Sequence, residues 1–301
     1  MNPTYNLKKC FICLALLLIF ITAKAQQTTA YTQYINNITP INPVYSLFQQ
    51  GGSINTTIRK QWVGVPGAPT SYLFNGSLPI ESINASAGLI ATNDDVAIEH
   101  LTEVNAFFAK GIRLDKKISL GVAINAGFRK YVADYSQINS ADPVFSNDIH
   151  QSQPNIGFAV MLYSDQYYLG VSVPELSIFT LGNASVQNNV DFQTHYCFVA
   201  GATTTLSDDC QLKYSGLLSY VKGVPALGDV SALVYVRNTL GVGLNYKTNN
   251  EVAGMVSVNY ERFRIGYSYE FATNSNSIGS MVNSTNEISF GFRFGKGSQI
   301  K

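Results

Sequence analysis

From residue 287 the chain alternates without a break: Ile288, Phe290, Phe292 and Phe294 share one parity, and Glu287, Ser289, Gly291 and Arg293 the other. A side-chain period of two is what a β-strand produces when its two faces meet different surroundings. The pattern returns along the chain. Ile118, Leu120, Val122, Ile124, Ala126 and Phe128 alternate with Ser119, Gly121, Ala123, Asn125, Gly127 and Arg129. Leu240, Val242, Leu244 and Tyr246 are set against Gly241, Gly243, Asn245 and Lys247, and Phe263, Ile265, Tyr267 and Tyr269 against Arg264, Gly266, Ser268 and Glu270. Extending the reading predicts fourteen strands, near 54–62, 71–79, 84–92, 101–114, 118–131, 155–164, 166–174, 193–206, 211–221, 230–236, 240–247, 252–260, 262–270 and 287–294.

The expected connections sort by parity. After even-numbered strands they are short: 80–83, 115–117, 165, 207–210, 237–239 and a tight corner at 260–262. After odd-numbered strands most are long: 63–70, 93–100, 132–154, 175–192, 222–229 and 271–286, with 248–251 the exception. Short periplasmic turns and longer outer loops distinguish outer-membrane barrels. The fold predicted is therefore all-β, a transmembrane antiparallel β-barrel of about 14 strands. A soluble sandwich also alternates, but its solvent face tends to carry charge. Here the polar parity is mostly Gly, Ser, Ala and Asn, and Tyr163, Tyr167, Tyr246 and Tyr260 are expected on the apolar face near strand ends, as interfacial girdles require.

Composition agrees with this reading. Charged residues make up only 13% of the chain and aromatics 12%, an unusual balance for a water-soluble domain. Residues 1–25 read as a cleaved signal peptide: Lys8 and Lys9 precede an apolar stretch from position 11 to 21, too short for a bilayer that needs about 20 residues, and Ala23 and Ala25 supply the small cleavage-site residues. Cys10 and Cys13 do not follow the apolar stretch, so a lipid-modified first cysteine is not expected. Loss of Lys8, Lys9 and Lys24 takes Lys+Arg from 20 to about 17 against 19 acids, a balance that calls for no nucleic acid. Residues 26–50, with Tyr31, Tyr34, Pro40, Pro43 and Tyr45, are expected to fold back as a plug of the lumen, and 51–301 to form the barrel. Cys197, deep in a strand, and Cys210, beside a turn, are expected to stay unpaired because a disulfide tolerates a Cα separation of only about 4.4–6.8 Å.

Few residues propose chemistry. His100 and His150 fall in expected outer loops and His195 at a strand start, and no local Ser–His grouping suggests a nucleophile, so no catalytic site is expected. Asn93, Asp94 and Asp95 with Glu99 lack the oxygen count and glycine turn of a calcium loop, so a solvated loop is the reading and neither a metal nor a cofactor is expected. The Gly241 and Gly243 region leads into no helix, as a phosphate cradle must. Arg129, Lys247, Arg264, Glu270, Glu287 and Arg293 lie on the inward parity, where mutual pairing in the lumen is expected.

Several stretches resemble the PorP/SprF-like membrane proteins of the type IX secretion system of Bacteroidetes-type bacteria. They begin with Gln33-Tyr34 and Ile41-Asn42-Pro43-Val44-Tyr45, and the most specific is Arg59-Lys60-Gln61-Trp62-Val63-Gly64-Val65-Pro66-Gly67-Ala68-Pro69-Thr70. Pro154-Asn155-Ile156-Gly157-Phe158, Tyr163-Ser164-Asp165, Tyr168-Leu169-Gly170-Val171-Ser172-Val173-Pro174 and Gly266-Tyr267-Ser268-Tyr269 continue it. The chain departs at Thr285-Asn286-Glu287-Ile288, where members often read Ser-His-Glu-Ile, and at Ser46-Leu47, in place of a small pair. The resemblance implies an outer-membrane part serving protein export, gliding, or surface retention of a large adhesin, by binding and without catalysis. Its partners would be secretion-machinery proteins or a secreted adhesin's C-terminal domain, besides outer-membrane lipid. It makes Gln61, Trp62, Gly64, Pro66, Gly67 and Pro69 a candidate partner-contact loop, although two prolines and two glycines also explain a merely rigid turn. The alternative function is a porin or hydrophobic-solute channel.

Overall fold

The computed structural model describes residues 31–49, 51–137, 148–177, 192–272 and 284–295. The expected signal peptide lies outside these residues. Fourteen strands form one closed antiparallel barrel in which each strand pairs with its sequence neighbours. They are β1 (Gly52–Lys60), β2 (Thr70–Ile80), β3 (Ala85–Val96), β4 (Glu99–Arg113), β5 (Ser119–Ala133), β6 (Ile149–Tyr163) and β7 (Tyr167–Ser177). The second half comprises β8 (His195–Ser207), β9 (Cys210–Val221), β10 (Leu227–Val236), β11 (Leu240–Lys247), β12 (Glu251–Tyr260), β13 (Phe263–Ala272) and β14 (Ser284–Phe294). Closure is made by β1 against β14, in register from Gly52↔Phe294 to Lys60↔Asn286. With no open edge, every strand has a ladder partner on each side, which lipid demands.

Burial is inverted relative to a soluble sheet protein. The apolar parity looks outward and is open: Ile58, Phe74, Val122, Ile124, Val242 and Ile265 are exposed. The polar parity is the buried one, with Ser53, Asn75, Asn105, Asn125, Ser231, Asn245 and Ser257 inside. An apolar surface encircling the molecule far exceeds the patches a soluble monomer tolerates. This inversion removes the sandwich reading.

The strands run further than hydrophobic alternation indicates. β3 continues to Val96 and β4 starts at Glu99, so Asn93, Asp94, Asp95 and His100 lie on a ladder and not in a long loop. β6 likewise begins at Ile149, which puts His150 in a strand. Above the lipid a ladder can carry polar side chains on both faces, and the period-two apolar signal fades there although pairing persists. β1 ends at Lys60, leaving Trp62 in the loop. Tyr163 is no girdle residue: it pairs with Ser119 and Tyr168 and packs on the internal cluster around Met161. Tyr167, Tyr246 and Tyr260 do face outward. Cys197 and Cys210 are free. Among the described residues no helix is long and apolar enough to cross a membrane.

Candidate functional site

Residues 31–49 lie inside the barrel. They form a 3-10 turn (Thr32–Asn36), a bend through Pro40 and Pro43, and a single helical turn (Tyr45–Phe48). Isolated segments this short have no stability of their own, so their shape is set by the wall. Tyr34, Ile35, Ile38, Asn42, Val44 and Tyr45 are almost fully buried. The polar contacts reach the wall on several sides. The Tyr34 hydroxyl donates to the carbonyls of Ser215 on β9 (3.0 Å) and Asp229 on β10 (3.2 Å). The Asn37 amide donates to Asn75 on β2 (2.6 Å). The Asn42 amide donates to the Val160 and Val171 carbonyls on β6 and β7, and the Ser172 hydroxyl donates to the Ile41 carbonyl.

Glycines on the inner parity give this segment its space. A Cβ at Gly121 would lie 2.1 Å from Val44, one at Gly170 2.8 Å from Asn42, and one at Gly266 2.8 Å from Gln33. Tyr45 packs edge-on against Tyr168 and stacks on Phe48, completing an apolar cluster with Ile38, Val44, Met161 and Val199.

A network of ionised side chains fixes the start of the segment. The Glu287 carboxylate accepts the backbone N–H of Thr32 (3.0 Å) and of Gln33 (2.6 Å), which satisfies the orphan donors of the 3-10 turn. The Thr32 hydroxyl donates to Glu270 (2.9 Å). Arg59 bridges the two carboxylates, 2.9 Å from Glu270 and 3.4 Å from Glu287, and Lys247 pairs with Glu270 and with Glu251 at 3.6 Å. Charges buried to this degree are tolerated only when paired and hydrogen-bonded. Farther round the wall Arg129 pairs with Glu103 and Glu175.

The inward charges thus separate into two groups. Lys247, Glu270, Glu287 and Arg129 have ionic partners. Arg264 and Arg293, expected to pair, have no carboxylate partner among the described residues: Arg264 donates to Asn259 (2.9 Å) and to the Asn36 carbonyl (3.2 Å). Arg59, Glu103 and Glu175 were missed as lumen charges. Lys213 and Asp229 were missed as well. Arg59, Glu103 and Lys213 share the inward parity of Thr57, Asn105 and Ser215 in their strands and were legible from alternation, whereas the expected end of β7 at 174 and start of β10 at 230 left out Glu175 and Asp229.

At the outer rim, residues 61–69 form a tethered loop. The Gln61 N–H donates to the Pro69 carbonyl (2.9 Å), Val63 N–H to Ser284 of β14 (3.2 Å), and Ala97 N–H, in the β3–β4 turn, to Gly67 (3.0 Å). Gly64 and Gly67 have positive φ, as such a path requires. Trp62 also has φ +44° and remains 45% exposed. Gly64, Pro66 and Gly67 are exposed, and Gln61 and Pro69 partly so.

Also at the rim, Asp134, Asp148 and His150 bring possible ligand atoms within 4.8 Å of one another. Asp148 is engaged by the Ser136 amide (2.8 Å) and hydroxyl (3.0 Å), which hold its carboxyl below the ordinary range. An exposed group of this kind is ordinary for a solvated loop.

Residues 23–292 match the family described as type IX secretion system membrane protein PorP/SprF. No curated protein matches the chain in sequence. Among solved structures, the monoaromatic hydrocarbon channel CymD is 13% identical, with TM-score 0.51 over 90% of this chain and 94% of its own. The Pseudomonas putida toluene transporter TodX is 9% identical, with TM-score 0.49 over 90% of this chain and 99% of its own. Acinetobacter baumannii Omp33 is 6% identical, with TM-score 0.47 over 81% and 98%. At such identity the likeness to CymD concerns the outer-membrane barrel fold alone.

Proposed function

The chain belongs to the PorP/SprF family of type IX secretion system membrane proteins, and from that premise we propose that it serves protein export, or surface retention of a large secreted adhesin, by binding and without catalysis. The barrel anchors the binding surface in the outer membrane. The outer rim loop at 61–69 engages the partner, either a protein of the secretion machinery or the adhesin's C-terminal domain. One observation carries this reading: Trp62, the chain's sole tryptophan, is exposed while held at positive φ by a loop tied to β14 and to the β3–β4 turn. A bulky residue in that conformation costs on the order of 1–3 kcal/mol and persists where surroundings over-determine it, which is common at binding sites. Pre-ordering also lowers the entropy lost on association, and tryptophan is enriched among residues that dominate binding energy.

The alternative, a porin or hydrophobic-solute channel, needs a path past residues 31–49. Their contacts with β2, β6, β7, β9, β10, β13 and β14 weigh against it. Isolation of the tagged full chain from its own membranes in mild detergent tests the proposal. Co-isolation of a secretion-machinery protein or of an adhesin C-terminal domain, diminished by Trp62→Ala, is expected; a barrel that comes out alone overturns it.

A further inference from the structure

The lumen is electrically asymmetric. Its outer half holds Arg59, Lys247 and Arg129 with Glu270, Glu287, Glu103 and Glu175 as ionic partners. On the side of the short turns, the inward parity carries Lys213, Arg264 and Arg293, and among the described residues no Asp or Glu occupies an inward-facing strand position there. Arg264 pairs with Gly291, so Arg293, two residues on, is its diagonal neighbour at roughly 7–8 Å between backbones. Lys213 shares the inward parity of Ser215 on β9, whose hydroxyl accepts from Tyr168 (2.8 Å), the ring partner of Tyr45, and both Lys213 and Arg293 lie within electrostatic reach of Arg264. Neither the Lys213 ammonium nor the Arg293 guanidinium has a hydrogen-bond or ion-pair partner among the described residues, and each residue retains accessible surface although it points inward. The buried Tyr45 phenol, within electrostatic reach of both arginines, makes ring contacts but no side-chain hydrogen bond among the described residues.

Three cations gathered at one end of the lumen without a carboxylate are destabilising unless an anion or water compensates them. Guanidinium forks match oxyanions in geometry, and an ammonium and a phenol add single donors. We propose that the periplasmic half of the lumen is a binding site for an oxyanion, a carboxylate or phosphate that enters from the periplasm and is held by Lys213, Arg264 and Arg293 with the Tyr45 hydroxyl. Residues 31–49 close the route from the outer side, and the short turns that flank the cluster mark the periplasmic end. The inference does not rest on the outer-loop reading.

The test uses the purified full chain in non-ionic detergent, titrated with sodium phosphate and separately with a triglutamate peptide, at ionic strength held constant with chloride. Binding is followed by calorimetry and by the ligand-induced rise in melting temperature. Saturable binding of either probe is expected, and the probe that binds more tightly assigns phosphate or carboxylate as the source. Lys213→Gln and Arg293→Gln are each expected to weaken binding at least about tenfold. Both variants should melt, without ligand, no lower than the parent, since each removes a repelling charge that has no partner. That outcome separates a binding role from a structural one. Absence of saturable binding of both probes, or affinities unchanged in both variants, overturns the site.

Discussion

The carboxylate of Glu287, on the last strand, accepts the backbone N–H of Gln33 at 2.6 Å, across 254 positions of sequence. The same carboxylate takes the neighbouring Thr32 amide and faces Arg59, so one side chain ties the lumen segment to the seam where β1 meets β14. Glu287→Gln keeps the shape and removes the charge. We expect a loss of about 2–4 kcal/mol, because charge-assisted bonds to two amides weaken and Arg59 loses one of two anions. Urea unfolding of the folded, heat-modifiable form in detergent measures it; a midpoint equal to that of the parent would count against this role.

Residues 31–49 should behave as a plug. Deleting 31–48 is expected to raise single-channel conductance in a planar bilayer, since the buried volume they fill becomes water. Gly121→Val is a milder disturbance, because its first added carbon would already meet Val44 at 2.1 Å; it should produce intermittent openings while the barrel itself still folds. Unchanged traces from both proteins would refute the plug.

Trp62→Gly separates partner binding from folding. Glycine adopts the positive φ at no steric cost, so barrel stability should hold or rise by up to about 1 kcal/mol. Co-isolation of the partner should nevertheless fall at least about tenfold, as expected of an aromatic anchor. Equal loss of stability and binding would assign Trp62 a structural role.

In the turn between β4 and β5, the Asp115 carboxylate accepts the backbone N–H of Lys117 (2.6 Å) and of Ile118 (2.7 Å), and these bonds hold its pKa below the ordinary 3.8. A depressed folded-state pKa gives stability that is complete above the ordinary value and lost as pH falls through the depressed one. Asp115→Asn should therefore be less stable than the parent at neutral pH, with the difference shrinking as pH falls below the ordinary 3.8 and vanishing once the depressed pKa is passed. Paired melting curves across that range check the sign, and a difference that persists in acid would contradict it.

Much of the architecture was legible because a strand's two faces are recorded locally. Ile288 and Phe290 face lipid and Glu287 and Ser289 face the lumen whatever the remainder of the chain does, and a tight corner such as that at 260–262 is likewise a local event. Where both faces of a ladder leave the lipid, as from Asn93 to Asp95, alternation fades and the strand end was misplaced.

The lumen was legible only as a list of inward residues. Whether Arg129 meets Glu103 or another acid depends on register and on the curvature of the closed wall, and Arg59 reaches Glu270 only because β1 closes on β14. The path of residues 31–49 is equally non-local, since Val44 fits beside Gly121 and Asn42 beside Gly170 through distances that no spacing in the chain encodes. Sequence alone determined which side chains face inward, because that follows from a repeat of two residues; tertiary structure decided which of them meet, because contact between buried charges requires the ring to close.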